Sequence, residues 1–155
     1  MIEPLLKRGQ LVPNFTLPDS QGEPLRRSIY RGRQHLVLVF LPHPADWAAH
    51  DYLRDLAARH PEVRSAAGEV LAILPAAPAE LAWLRRELGL PFPLLADADG
   101  DTTARFLPHD CHAGVFVVDR YGELYYGTTA ADAVGLPPVG EVQEWLVAVD
   151  NQCVI

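Results

Sequence analysis

The chain has 155 residues, 49% of them hydrophobic and 21% charged, which puts it among globular proteins and outside the disordered class. Lys and Arg number 13 against 20 Asp and Glu, a formal charge of -7; no nucleic-acid or anionic-membrane partner is expected, because affinity for phosphate is mostly cationic neutralisation. Two cysteines, Cys111 and Cys153, cannot build a disulfide scaffold or a four-thiolate zinc site.

Prolines and charges recur from the opening Met1-Ile2-Glu3-Pro4 through Tyr30, leaving no apolar run fit for a signal peptide. Nor is any apolar run long enough to span a bilayer. A cytoplasmic protein of one domain, residues 1–155, with reduced cysteines is the expectation.

From Gly9 to Gly22 short apolar pieces are broken by Pro13 and Pro18, which predicts extended edge structure and turns. Ser28 to Gly32 reads as a short helical turn or loop. The unbroken run His35 to Leu41 predicts a strand buried on both faces. Pro42 ends it, and Asp46 can cap a helix to about Arg59 with Ala49, Tyr52, Leu53, Leu56 and Ala57 on one face. Pro61 interrupts that pattern, and Glu69 to Leu74 reads as the next buried strand. Pro78 suits the first position of a helix through Leu88, which Gly89 would close.

Phe92 to Ala96 predicts a further strand. Asp97-Ala98-Asp99-Gly100-Asp101 resembles the start of a calcium loop, but its glycine comes early and Pro108 stands where glutamate should. It reads better as a turn in which Asp101 caps a short helix to Phe106. Gly114 to Asp119 and Glu123 to Tyr126 flank Arg120-Tyr121-Gly122 as a hairpin. Val139 to Asp150 predicts a last helix facing inward with Val142, Trp145, Leu146 and Val149. The order β-α-β-α-β-hairpin-α predicts an α/β sandwich with a mixed central sheet, and ligands in such sheets sit at the carboxyl ends of strands. Here that is the loop Pro42 to Ala49.

Val12-Pro13-Asn14-Phe15-Thr16-Leu17-Pro18-Asp19, then Gly22 and Tyr30-Arg31-Gly32, resembles the opening of the peroxiredoxins, the alkyl hydroperoxide reductase/thiol-specific antioxidant family. The strand Leu36 to Phe40 with Pro42, the segment Leu90 to Asp97 and the hairpin Phe116 to Gly122 continue the likeness in order. The resemblance implies a thioredoxin-like three-layer sandwich, a mixed central sheet flanked by helices. It also implies antioxidant oxidoreductase chemistry, a redox partner protein and a homodimer.

The residues depart from that chemistry. The family's Pro-x-x-x-Thr/Ser-x-x-Cys motif, whose thiolate is stabilised at a helix N-terminus, falls on Pro42, Asp46 and Ala49. Alanine is no nucleophile. The family's arginine falls on Ala113, and no Cys-x-x-Cys is present. A conventional thiol peroxidase is therefore not expected, and binding or self-association is the first reading. A second makes Cys111 a non-standard redox thiol activated by His109 or His112. A third makes His43, His50, His109 and His112 a metal-binding region, since imidazoles beside a thiol and carboxylate suit zinc or copper; His112 falls roughly where Sco-type copper chaperones keep a histidine. Cys153 resembles a C-terminal resolving cysteine without a partner. No Walker loop, Gly-x-Ser-x-Gly or Gly-x-Gly-x-x-Gly occurs, and no cofactor is expected.

Overall fold

The computed structural model describes residues 5–152. An N-terminal hairpin of β1 (Thr16–Pro18) and β2 (Pro24–Arg26) runs into a short helical turn, Arg27–Tyr30. The body follows as β3 (His35–Phe40), α1 (Trp47–Ser65), β4 (Gly68–Leu74), α2 (Pro78–Leu88), β5 (Leu94–Ala96), α3 (Asp101–Phe106), β6 (Ala113–Val118), β7 (Leu124–Ala130) and α4 (Val139–Gln152). The five-stranded sheet has the order β5-β4-β3-β6-β7. Strands β3, β4 and β5 are parallel, β6 pairs antiparallel with β3 and β7 antiparallel with β6, so β6 alone runs against the others and the sheet is mixed as expected.

Strand β3 is buried throughout because alternate side chains enter two different cores. Val37, Val39 and Leu41 face α1, α2 and α4, where Leu53, Leu56, Leu81 and Leu146 pack. Leu36, Leu38 and Phe40 face the N-terminal segment and α3. There Phe40, Phe106 and Phe116 form an aromatic knot, with ring centroids 4.8 to 5.7 Å apart. Two buried faces explain why the strand reads as continuously apolar.

Three expectations are corrected. Helix α1 does not stop near Arg59; it continues through Pro61 to Ser65. An internal proline costs about 3 kcal/mol, offset here by the last turn's packing. Val63 is buried there, while His60 and Arg64 both reach Glu69 of β4, at 2.8 and 3.1 Å. Helix α3 is not capped by Asp101. Gly100, in a left-handed conformation at φ 77°, precedes it. The buried Asp97 carboxylate accepts from the Thr102 and Thr103 N–H groups and the Thr103 hydroxyl, at 3.3, 2.7 and 2.6 Å. Strand β7 extends beyond Tyr126 to Ala130. Gly127 permits this: a Cβ there would stand 2.9 Å from the Phe116 ring.

Candidate functional site

The carboxyl ends of β3 and β4 face the start of β6, and the loop from Leu41 to Asp46 hangs over them. Leu41 continues the ladder, donating its N–H to Ile73 O at 3.1 Å, until Pro42 ends it. The loop then closes on itself. The Ala45 N–H donates to His43 Nδ1 at 3.0 Å, and the Asp46 N–H to His43 O at 3.2 Å. His50, on the first turns of α1, donates Nε2–H to Pro44 O at 2.7 Å.

Asp46 is the N-cap of α1, its carboxylate accepting the Ala48 N–H at 3.3 Å. The positive end of the helix is thus met by the chain's own anion. Ala49, on the buried side of the first turn, is 0% exposed. Ala113 opens β6 beside the end of β3 and is buried as well. The two positions that the family resemblance assigns to nucleophile and arginine are therefore packed alanines.

Cys111 sits between α3 and β6, 8% exposed, with its thiol 3.6 Å from the Thr129 hydroxyl and its N–H on Pro108 O at 2.9 Å. Together with Pro42, Pro75, Leu107 and His112 it lines a cavity of about 450 Å³. The structure thus brings Pro42 and Cys111 to one concavity. A groove of about 500 Å³ lies on the other side of the loop, between Pro44, Ala45, His50 and Trp83. Trp83 is 54% exposed there, and Trp47, the first residue of α1, is 73% exposed.

The histidines do not converge. His43 and His50 are engaged within their own loop, while His109 pairs with its exposed neighbour Asp110 at 3.1 Å. His112 is exposed. Among the described residues no three His, Cys, Asp or Glu side chains are grouped to hold a metal ion. Cys153 lies outside the described residues. Sequence reasoning missed Thr129 as the partner of Cys111 and Pro75 as cavity wall; no local pattern marks either, because both meet the site only through the sheet.

The sequence profile of the AhpC/TSA family matches residues 8–126. The chain belongs to the AhpC/TSA family. Among relatives, Rv2521 of Mycobacterium tuberculosis (strain H37Rv), which carries a peroxiredoxin name, is 34% identical over 94 residues. That match spans 61% of this chain and 59% of Rv2521. The alkyl hydroperoxide reductase E of the same organism is 29% identical over 137 residues, covering 79% of this chain and 84% of its own. The crystal structure of peroxidoxin BcpB from M. tuberculosis superposes with a TM-score of 0.80 at 22% identity, covering 93% of this chain and 98% of BcpB. The bacterioferritin comigratory protein of Xanthomonas campestris gives 0.77 at 16%, over 97% and 99%. The two solved structures share the thioredoxin-like fold of this chain. No helix among the described residues is long and apolar enough to cross a membrane.

Proposed function

We propose that this AhpC/TSA-family chain does not turn over peroxide at the N-terminus of α1 and works instead by binding, to a second copy of itself or to a redox partner protein. One observation carries the reading: the first turn of α1 presents a fully buried Ala49 behind an Asp46 carboxylate. A thiol peroxidase needs a thiolate there, and an alanine cannot supply one. The concave surfaces on both sides of the Pro42–Asp46 loop remain, rich in apolar and proline side chains.

A second reading is favoured by the position of Cys111 in the wall of the 450 Å³ cavity. Its thiolate would attack a peroxide oxygen, forming an S–O bond as the O–O bond breaks and the alcohol leaves with a proton. Sulfur is then oxidised to sulfenic acid and the peroxide reduced; one external thiol condenses with the sulfenic acid to a mixed disulfide, releasing water, and a second thiol frees the cysteine and leaves as the external disulfide. The burial of Cys111 and its contact with Thr129 weigh against it.

One experiment separates the two. Purified protein is given hydrogen peroxide or an organic hydroperoxide with dithiothreitol, alongside Cys111→Ser, and substrate loss and intact mass are followed. Binding without turnover predicts no consumption above the buffer rate in either protein. Consumption that disappears in Cys111→Ser establishes the second reading and ends the first. Sedimentation of the protein alone then distinguishes self-association from the need for another partner.

A further inference from the structure

His35 opens β3 at the end of the sheet opposite the cavity, and its side chain is 0% exposed. Ring atom Nδ1 accepts the backbone N–H of Arg120 at 3.0 Å, and Nε2 lies 3.2 Å from Asp150 Oδ1. A backbone N–H can only donate, so Nδ1 is bare and the ring proton resides on Nε2, directed at Asp150. In this neutral form both nitrogens are satisfied. The charged groups facing the ring are Asp150 on α4, and Asp119 and Arg120 in the turn between β6 and β7. Arg120 Nη2 is 3.4 Å from Nε2 and 3.5 Å from Asp150 Oδ1. Burial is the largest influence and holds the imidazole below its ordinary value of 6.5; Asp150 and Asp119 oppose this and Arg120 adds to it.

A second proton has only Nδ1 to occupy, where it meets the Arg120 N–H donor to donor. The contact to Asp150 becomes an ion pair at the same time and tightens. Protonation therefore spares α4 and expels the turn. Arg120 Nε is already buried without a hydrogen-bond partner among the described residues, so the turn's seat is incomplete even at neutral pH. The turn in turn holds the N-terminal segment. Gly32 N–H donates to Arg120 O at 2.6 Å and Val12 N–H to Gly122 O at 3.0 Å. Gly9 N–H reaches Leu124 O, and Leu124 N–H reaches Gln10 O, both at 2.8 Å.

We propose that His35 is an acid-operated latch: its protonation releases the Asp119–Gly122 turn, and with it the Gly9–Val12 segment, while α4 stays docked through Asp150. The sign follows from the neutral preference of the folded ring. The latch holds fully above the free imidazole value, and its hold is lost as pH falls from there toward the lower folded value.

Amide hydrogen exchange tests this, read residue by residue and corrected for the intrinsic pH dependence of exchange. Between about pH 7.5 and about pH 5, protection at Gly9, Val12, Gly32 and Arg120 is expected to fall by up to about tenfold per pH unit, with Leu146 and Val149 of α4 unchanged. In His35→Asn, whose amide oxygen can accept the Arg120 N–H without titrating, the fall is expected to vanish. Should that variant not fold, Asp150→Asn serves instead: losing the carboxylate that favours the imidazolium lowers the folded value, so the loss of protection is expected to continue to lower pH than in the wild type, and an unchanged profile overturns the latch. Protection lost equally in α4 and the turn overturns the latch, as does a turn indifferent to pH or a His35→Asn protein that keeps the wild-type response.

Discussion

Restoring a thiol by Ala49→Cys is expected not to restore reactivity, and the reason can be given magnitudes. Residues 46 and 49 stand one helical turn apart, with Cβ atoms about 5–6 Å from each other. At that spacing a carboxylate and a thiolate repel by about 3 kcal/mol at an effective dielectric near 20, and by under about 1 kcal/mol in water. Asp46 is half-buried, so about 1–2 kcal/mol is appropriate. The helix terminus offers a thiolate about 0.3–1 kcal/mol, and Asp46 already holds the Ala48 N–H. The balance disfavours the thiolate by about tenfold relative to the same site with a neutral residue at position 46. Ala49 is also fully buried, so the added sulfur overpacks the turn at a cost of about 1–3 kcal/mol. The assay is alkylation by iodoacetamide at neutral pH, with both native cysteines replaced by serine. Asp46→Thr combined with Ala49→Cys should react about tenfold faster than Ala49→Cys alone. If the single variant alkylates as fast as the double, the carboxylate argument is wrong.

Ala67 joins α1 to β4 at φ 58°, where a side chain is strained; Ala67→Gly is expected to raise stability by about 0.5–1 kcal/mol, the relief exceeding the added freedom of the unfolded chain. A urea midpoint that stays put or falls would show that the strain is absorbed elsewhere. Asp97→Ala removes a buried carboxylate that accepts three hydrogen bonds at the start of α3. It should cost about 2–4 kcal/mol in denaturant unfolding, and a loss under about 1 kcal/mol would mean that α3 finds another cap.

The sequence made some of this legible and hid the rest for physical reasons. Strand β3 announces itself because both of its faces are buried, and α2 because Pro78 and Gly89 bound it with backbone geometries few other residues favour. The far end of α1 was hidden because a local proline signal is outweighed by Val63, His60 and Arg64 meeting β4. The cap of α3 was hidden because Asp97 and Asp101 look alike in sequence, and only burial at the strand end separates them. At the site, Ala49 and Asp46 were readable by their spacing from Pro42. The histidines were not: their grouping in sequence gave no sign that His43 and His50 would be engaged within their own loop.

The three tryptophans are unequally placed, and that has a spectroscopic consequence. Trp145 stacks on Tyr126 at a centroid distance of 4.6 Å, while Trp47 is mostly and Trp83 about half exposed in the folded protein. Unfolding therefore changes the surroundings of Trp145 most, those of Trp83 in part and those of Trp47 least. A molecule covering the groove beside Trp83 would dry the half of that indole which folding leaves exposed. The Trp83 indole thus offers a readout of that groove separate from the Trp145 signal of unfolding.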